Sequence, residues 1–483
     1  MTLWTSADAA AATGGKTTSD WVANGVSIDT RTIQEGDLFV ALKDVRDGHD
    51  FVAMALDKGA AAALVTHRPE GVADDAPLLI VSDVLVALEQ LGSAARTRTN
   101  ARVIGITGSV GKTSTKEMMR TVLEAQGKTH ASVASYNNHW GVPLTLARMP
   151  ADTDYAIIEI GMSNPGEIAP LSKMAKPHVA MITTVAAAHL EAFEDLSGIA
   201  VEKASIMDGL KSGGIAILNG DIETAHVLRD HLGQNTGVWF GHGPQSDWKI
   251  NDVRVTPDAT VIQAHGAGED YLFKLSVPGR HFAMNAVGVL AAVKALGADP
   301  MQAALSIAGW SPVEGRGTRE VVTIDSGIEH GTIDLIDDAF NANPTSMTAS
   351  LEVLAATQPI DNVGRIIKGR RIAVLGDMLE LGPDETANHR DLSENEHLQT
   401  LDVVHCVGPR MKHLWDALPE EQRGEWRETA ADVAAIANTL VDAGDVILVK
   451  GSKGSKVSLV VDAIRKLGHR DAAQSKTDQE GRV

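Results

Sequence analysis

Cysteine and long apolar runs are nearly missing from this chain. Its 483 residues include one cysteine, Cys406, so no disulfide can form within the chain, and a buried reduced thiol is expected. No apolar run reaches the ~18 residues that a transmembrane helix needs. No basic segment followed by an apolar block opens the sequence. We therefore expect a cytoplasmic protein that does not insert into a membrane.

Basic side chains are also in short supply. The chain has 43 lysines and arginines against 63 acidic residues, which gives a net charge of −20. An acidic protein repels polyanions, so nucleic acid and anionic membranes are excluded as main partners, although a local basic pocket for phosphates is still possible. The hydrophobic content of 44% is typical of a globular protein, and the length predicts two to four domains.

What the sequence does contain is a repeated alternation of short apolar strands and helical segments. This alternation predicts α/β domains with parallel sheets. We expect a small N-terminal α/β domain over residues 1–100, a central domain with a doubly wound parallel sheet over 101–317, and a Rossmann-like C-terminal domain over 318–470. A polar, β-rich stretch at 247–277 predicts a small added sheet, and residues 471–483 predict a disordered tail.

One segment predicts nucleotide binding. Residues 102–115 combine an apolar strand, a glycine-rich turn and the start of a helix predicted over 112–126. Such a turn lets backbone N–H groups surround phosphates, with Lys112 at the terminal phosphates and the Thr113 hydroxyl on Mg²⁺. The general motif has a glycine where Ile106 stands, so a plain glycine-rich turn is the alternative. The predicted loop comprises Gly108, Ser109, Val110, Gly111, Lys112, Thr113 and Ser114.

Two candidate metal ligands follow other strands of the same predicted sheet. Glu159 ends an apolar strand, which is where parallel sheets bind their ligands. It could hold Mg²⁺ directly or through water, or it could be an exposed acid at a strand end. His189 follows a second apolar run and could bind metal, whereas a lone histidine more often has a structural role.

Lys203 lies on the apolar face of a helix predicted from Leu196 to Leu210. Helical spacing places Ile199 and Ile206 on the same face. One interpretation is a side chain whose ammonium group extends to solvent. The other is a buried amine with a lowered pKa, which could take up CO₂ and become a carbamate.

Several polar segments have both a functional and a structural interpretation. The loop at 136–143 could bind a ligand or simply be solvated. Asn285 could contact an adenine edge or cap a turn, and Arg316 could reach a ribose or phosphate or lie in a hinge. The segment at 337–344 could bind substrate or satisfy its own backbone. The lysines at 450–456 could bind an anion or form a solvated turn.

Taken in their order, these segments resemble the Mur ligases, the ATP-dependent amide-bond-forming enzymes of peptidoglycan precursor synthesis. The resemblance covers roughly residues 20–465, and the family's shorter phosphate loop accounts for Ile106. It implies an N-terminal domain for a UDP-sugar, a central ATPase and a Rossmann-like domain that closes over the site. The other blocks that carry it begin at Asn137, Glu159, Ala188, Pro278 and Asp337.

The resemblance also assigns roles to single residues. Lys112 and Thr113 match the phosphate and Mg²⁺ positions, and Glu159 and His189 match metal-binding positions. Lys203 matches a lysine that is carbamylated in several members, where the carbamate helps to place a second Mg²⁺. Lys112, Glu159, His189 and Lys203 are therefore the predicted catalytic residues.

Further contacts follow from the same resemblance. Asn285 and Arg316 match adenosine-binding positions, and Asp338 matches a nucleotide-contacting acid. Phe340 stands where tyrosine is usual and lacks its hydroxyl, while Lys453 replaces a common arginine and offers a point charge instead of a fork. The predicted substrate-binding residues are Ser27, Asp29, Arg31, Gly48, His49, Phe51, Asn137, Asn138, Asn341 and Asn343.

The implied reaction joins D-alanyl-D-alanine to UDP-N-acetylmuramoyl-tripeptide through an acyl phosphate, in a monomer that uses ATP and two Mg²⁺ ions. One alternative is a Mur ligase that adds a single amino acid, but residues 361–365 lack the proline of the diaminopimelate-adding motif. A folylpolyglutamate synthase is disfavoured because it has no UDP-binding domain. A nucleotide-dependent binding switch without ligase chemistry is the alternative from another class.

Overall fold

The computed structural model describes residues 2–187, 190–325, 330–363 and 366–468, which form three α/β domains. The predicted α/β fold class is therefore confirmed. His189 and the predicted disordered tail lie outside the described residues. Within those ranges, no helix combines the length and the apolar character needed to cross a membrane.

The N-terminal domain is built on a five-stranded sheet in the order β2-β7-β6-β5-β4, in which only β2 is antiparallel to its neighbour. A two-stranded ribbon of β1 and β3 lies beside it. The elements are β1 (Trp4–Thr5), α1 (Ser6–Thr13), β2 (Lys16–Thr17), β3 (Val22–Ala23), β4 (Gly25–Ser27), β5 (Asp37–Val40), a 3₁₀ helix (Gly48–Phe51), α2 (Val52–Asp57), β6 (Ala62–Val65), β7 (Leu78–Ile80) and α3 (Val84–Arg98).

The central domain has a nine-stranded sheet in the order β16-β15-β14-β13-β12-β11-β8-β10-β9. Its elements are β8 (Arg102–Thr107), α4 (Lys112–Glu124), β9 (Thr129–Ala131), α5 (Gly141–Ala147), β10 (Tyr155–Glu159), α6 (Ile168–Ala175), β11 (Val179–Ile182), α7 (Leu196–Ala204), a 3₁₀ helix (Ser205–Gly209), β12 (Ile215–Asn219), α8 (Ala225–Leu232), β13 (Thr236–Gly241), β14 (Trp248–Val255), β15 (Thr260–Gly266), β16 (Glu269–Leu275), α9 (Arg280–Ala295), α10 (Pro300–Ser306) and a 3₁₀ helix (Ile307–Gly309).

Both faces of this sheet are covered, because successive strand residues point to opposite sides. Ile104 of β8 packs into a core with α4, α9 and α10, whereas its neighbour Val103 packs into a core with α5, α6 and α7. A strand buried on both faces has a continuous run of apolar residues, which explains why β8 and β10 could be predicted from the sequence. Helix α5 also packs on α3, and its Leu144 joins the N-terminal core.

The predicted added sheet is not separate. Strand β14 pairs in parallel with β13 through Phe240 and Trp248, and β15 and β16 continue the same sheet as an antiparallel meander. Helix α9 packs across this junction, so the meander shares the central core instead of building its own. The helix predicted over 112–126 is shorter than expected and ends at Glu124.

The C-terminal domain has a six-stranded sheet in the order β17-β18-β22-β19-β20-β21, with only β17 antiparallel to its neighbour. The buried Cys406 lies on β20. The elements are β17 (Thr318–Asp325), β18 (His330–Asp338), α11 (Pro344–Ala356), β19 (Arg371–Gly376), α12 (Glu385–Arg390), β20 (Val403–Val407), α13 (Lys412–Ala417), β21 (Arg423–Arg427), α14 (Ala430–Ala435), α15 (Ala437–Leu440), β22 (Val446–Lys450) and α16 (Ser458–Leu467), with 3₁₀ helices at Gly382–Asp384, Asp391–Glu394, Leu398–Thr400, Glu420–Gln422 and Lys453–Ser455.

Candidate active site

A cavity of about 740 Å³ lies between the central and C-terminal domains. Its central wall consists of the loop after β8, the end of β10 and the start of α9. Its C-terminal wall consists of the ends of β18 and β22 and the start of α11. The carboxyl ends of parallel strands from both sheets therefore face one space, which is where α/β folds bind ligands.

The loop between β8 and α4 has a backbone that requires glycine at two positions. Gly111 has φ +85°, and a Cβ on it would lie 3.0 Å from the Asn285 amide. At Gly108, a Cβ would lie 1.9 Å from the Thr183 hydroxyl oxygen, so any side chain would displace the neighbouring loop. Ser109 fixes the loop from the same side, since its hydroxyl donates to the Ala186 carbonyl at 2.9 Å.

Lys112 begins α4 and folds back over this loop. Its ammonium group donates to the Gly108 carbonyl at 2.5 Å, and the residue lines the cavity together with Ser109, Val110 and Ser114. The pKa of Lys112 is lowered to about 8, mainly by burial; the charge of Glu159 opposes this shift and the charge of Arg316 adds to it. A buried cation with one carbonyl partner is well suited to meet the phosphates of a nucleotide.

Glu159 is fully buried at the end of β10, so the interpretation as an exposed strand-end acid is wrong. Its Oε1 accepts from the Thr113 hydroxyl at 3.2 Å and from the Asn137 amide at 2.8 Å. Its Oε2 is buried and has no hydrogen-bond partner among the described residues. A carboxylate oxygen left free beside a threonine hydroxyl fits Mg²⁺, which favours oxygen ligands and usually takes few of them from protein.

A complete cage for a metal ion is not present in the described part of the chain, where no group of three or more histidine, cysteine, aspartate or glutamate side chains could hold one. Mg²⁺ at this site would therefore rely on Thr113, Glu159 and the phosphate oxygens of a nucleotide. The predicted ligand His189 lies outside the described residues.

Lys203 is buried in α7, with 2% of its surface exposed, so the interpretation as a solvent-reaching side chain is wrong. Within the described ranges, the hydrogen-bond partner of its amine is the Met162 sulfur at 4.0 Å. Burial lowers the pKa of Lys203 well below its usual value, and the charge of Lys112 lowers it further. The structure thus holds a buried, poorly partnered amine, whose neutral form is favoured by burial, within electrostatic reach of the phosphate loop.

Arg316 crosses from the central to the C-terminal wall of the cavity. Its guanidinium group donates to the Ser135 hydroxyl at 3.0 Å and lies 4.2 Å from the centre of the Phe340 ring. The ring therefore offers an aromatic face to a cation even though the usual tyrosine hydroxyl is absent. Asn285 lies against Gly111 on α9, where it lines the same space.

The C-terminal wall carries charges that are paired with each other. Asp338 at the end of β18 accepts from the Lys450 ammonium at 2.7 Å and from the Ser350 hydroxyl at 2.5 Å. Lys450, only 1% exposed, also donates to the Asn341 carbonyl at 3.0 Å. Lys450 is therefore no part of a solvated turn, whereas Lys453 is exposed and lines the cavity.

Two of the predicted substrate-binding asparagines form hydrogen bonds with backbone N–H groups at the start of helices. The Asn138 side chain accepts from the Gly141 N–H at 2.9 Å at the start of α5. Asn343 is the N-cap of α11 and forms a capping box with Ser346. Both residues still line the cavity, and the Asn343 amide nitrogen is buried without a partner among the described residues.

The predicted UDP-binding residues form a separate group that does not line this cavity. They lie at the carboxyl edge of the N-terminal sheet, where Asp29 holds Arg31 through paired hydrogen bonds of 2.6 to 3.0 Å. His49 bridges Asp47 at 2.7 Å and the Thr66 N–H at 2.9 Å. The other members of the group are Ser27, Gly48 and Phe51.

Two residues beside the proposed nucleotide site were not predicted. Lys116, one helical turn after Lys112, has its ammonium group 4.0 Å from Glu159 Oε2, and the i, i+4 spacing could have placed it on the same face. His281 lines the cavity, and its Nδ1 is buried with no hydrogen-bond partner in the described part of the chain. Burial lowers the pKa of His281 to about 4. Its place in the block that begins at Pro278 was the available signal.

Comparison with known families covers most of the chain. A model described as the Mur ligase middle domain matches residues 106–293, which include the phosphate loop and α9. A second, the Mur ligase glutamate ligase domain, matches 325–453, and a third, the Mur ligase family catalytic domain, matches 22–100.

Individual relatives extend over nearly the full length. The UDP-N-acetylmuramoyl-tripeptide–D-alanyl-D-alanine ligase of Bacillus subtilis is 34% identical over 449 residues, covering 91% of this chain and 93% of that protein. A crystal structure of MurF from Acinetobacter baumannii superposes with a TM-score of 0.79 at 28% identity, covering 96% and 99% of the two chains. MurF of Thermotoga maritima in complex with ADP gives 0.74 at 25% identity, covering 92% and 98%.

Proposed function

The chain belongs to the Mur ligase family, and we propose that it joins D-alanyl-D-alanine to UDP-N-acetylmuramoyl-tripeptide in ATP-dependent peptidoglycan precursor synthesis. The observation that carries this proposal is the convergence of Lys112, Thr113 and the free Glu159 oxygen in one cavity between two domains. Those groups suit the transfer of a phosphoryl group from ATP, and the second wall provides room for an acceptor.

A carboxylate and an amine do not condense in water unaided, so the carboxylate must first be activated. The terminal carboxylate oxygen of the tripeptide attacks the γ-phosphorus of ATP, the bond to ADP breaks, and an acyl phosphate forms. Lys112 offsets negative charge on the transferred group. The amine of D-alanyl-D-alanine then attacks the acyl carbon and loses a proton, and phosphate leaves with the original carboxylate oxygen.

Mg²⁺ would be held by the Thr113 hydroxyl and Glu159, where it would supply charge neutralisation for the phosphates. Lys203 suits carbamylation, because burial favours the neutral form of its amine: the nitrogen bonds the carbon of CO₂ and releases one proton to water. The resulting anion would offer oxygen ligands for a second Mg²⁺. The burial of Lys203 and the contact of its amine with the Met162 sulfur support carbamylation at this residue.

The remaining roles follow the three domains. The edge of the N-terminal sheet with Asp29, Arg31 and His49 would bind the UDP-sugar, and the C-terminal domain would bring the acceptor while excluding water from the acyl phosphate. Arg316 and Asn285 would contact the adenosine. We further infer that the protein works in the cytoplasm as a monomer.

Phosphate release tests the function directly. Purified protein is supplied with ATP, Mg²⁺ and UDP-N-acetylmuramoyl-tripeptide, with or without D-alanyl-D-alanine, and the ligated product is measured by mass spectrometry. We expect stoichiometric phosphate and pentapeptide product only with both substrates. Phosphate release that is the same with and without the dipeptide would refute the ligase activity. A product formed with a single amino acid instead of the dipeptide would identify a different member of the family.

A further inference from the structure

Lys116 is a fully buried cation on α4 with several oxygen partners. Its ammonium group donates to the carbonyl oxygens of Ser132 and Ala134, at 2.8 Å and 2.5 Å, and pairs with Glu117 at 2.9 Å. Two of these partners belong to the segment that follows β9, and Ser135 of the same segment lines the cavity. A long side chain from the phosphate-loop helix thus fastens a neighbouring loop by its backbone.

The loop that Lys116 holds contains an unfavourable backbone conformation. Ala134 has φ +49°, in the left-handed region that residues with a Cβ seldom adopt. Its carbonyl is the one that accepts the 2.5 Å hydrogen bond from Lys116. A conformation of this kind persists only where surrounding contacts determine it.

The residue after Ala134 touches the nucleotide site from two sides. The Ser135 hydroxyl lies 3.3 Å from the Thr113 hydroxyl and accepts from the Arg316 guanidinium at 3.0 Å. Two residues later, the Asn137 amide donates to Glu159 at 2.8 Å. The turn at Ala134 therefore sets the positions of Ser135 and Asn137. Through them it affects the contacts made to Thr113, Arg316 and Glu159.

We propose that Lys116 is a positioning residue for the nucleotide site, which holds Ala134 in the left-handed conformation so that Ser135 stays against Thr113 and Arg316. Lys116 lines no part of the cavity itself, so it does not touch the nucleotide. Its ammonium group also lies 4.0 Å from Glu159 Oε2, and the loop variants below separate this ion pair from the effect on Ala134. This inference rests on the proposed function only in assuming that the cavity binds a nucleotide.

The test measures binding and not turnover. ADP with Mg²⁺ is titrated into the full-length protein by calorimetry, first with the unaltered chain. A lack of binding there would count against the proposed function itself. Lys116→Met keeps the length and loses the donor, and we expect affinity to fall at least tenfold. Lys128→Met, at an exposed lysine of the same domain, is the matched control and should bind as before.

The strained turn supplies a second, more specific readout. Glycine adopts positive φ freely, so Ala134→Gly in the Lys116→Met background should restore a large part of the lost affinity. Unchanged affinity in Lys116→Met, or no recovery in the double variant, would overturn the proposal.

A further variant covers the case in which Lys116→Met does not fold. Ala134→Val alone places a β-branched residue at positive φ, and should weaken binding of ADP with Mg²⁺ at least fivefold while Lys116 remains. Affinity equal to that of the unaltered chain would contradict the inference.

Discussion

The two walls of the cavity differ in whether their buried charged groups are paired. Within the described ranges, the central wall has a Glu159 oxygen that accepts no hydrogen bond, with the Lys116 ammonium group 4.0 Å away, and a Lys203 amine whose hydrogen-bond partner is a sulfur. On the C-terminal wall, Asp338 and Lys450 neutralise each other at 2.7 Å. Unsatisfied buried groups cost stability, so their concentration on one wall indicates where ligand and metal are to complete the contacts. The charges of Asp338 and Lys450 on the other wall are already paired, which suits a closing surface.

The largest effect should come from removing the cation of the central wall. Lys112→Ala is expected to lower kcat/KM about a thousandfold, because the ammonium group that lies on the Gly108 loop and offsets phosphate charge is removed. The measurement is phosphate release with both substrates present, with Lys128→Met as the control. A loss of less than tenfold would mean that the central wall does not carry the chemistry.

Glu159→Gln should weaken binding of ADP with Mg²⁺ about a hundredfold, since the amide preserves the shape but not the anionic oxygen. Calorimetry with and without EDTA separates the metal from the nucleotide. In EDTA the variant and the unaltered chain should bind ADP equally. A difference that persists in EDTA would show that Glu159 acts without a metal.

Asp338→Ala should destabilise the fold by about 3 kcal/mol, because Lys450 would remain buried without its counter-charge. Ser350→Ala removes only the neighbouring hydrogen bond and should cost about 1 kcal/mol. Urea unfolding measures both. Equal small losses would contradict the description of this wall as a compensated pair.

In contrast to Asp338→Ala, the variant Lys203→Met should stabilise the fold by about 2 kcal/mol, while ligase activity falls. A buried amine without an oxygen partner costs free energy that an apolar side chain of similar length does not. Unfolding is measured in CO₂-free buffer, so that the amine is unmodified. A lower stability than that of the unaltered chain would show that Lys203 is already well partnered.

His405 is a poorly partnered buried group that does not belong to the site: its Nε2 has no hydrogen-bond partner among the described residues, and it lies on β20 away from the cavity. It therefore tests the effect of such a group on stability without an effect on activity. Burial lowers the pKa of His405 to about 4, below the ordinary value near 6.5. Between these values the unfolded chain binds the extra proton, so the stability advantage over His405→Gln should shrink by about 1 kcal/mol from pH 6 to pH 5. Ligation at neutral pH should be unchanged in the variant. A pH-independent difference would contradict the neutral histidine.

The sequence indicated the central wall far better than the C-terminal wall. Strands buried on both faces and the Gly111-Lys112-Thr113 turn are local patterns, so β8, β10 and the position of Glu159 could be predicted. The pairing of Asp338 with Lys450 spans 112 positions, and nothing local in either segment announces it. The contacts of Lys116 with the carbonyls of Ser132 and Ala134 depend on the path of the loop after β9, which no periodicity describes.

The direct test of carboxylate activation follows the oxygen. UDP-N-acetylmuramoyl-tripeptide labelled with ¹⁸O in its terminal carboxylate is converted with ATP and D-alanyl-D-alanine, and the released phosphate is analysed by mass spectrometry. An acyl phosphate requires one labelled oxygen to leave with each phosphate, and this is the predicted result. Phosphate without label would contradict the account, because ATP would then be hydrolysed by water and the amide formed by another route.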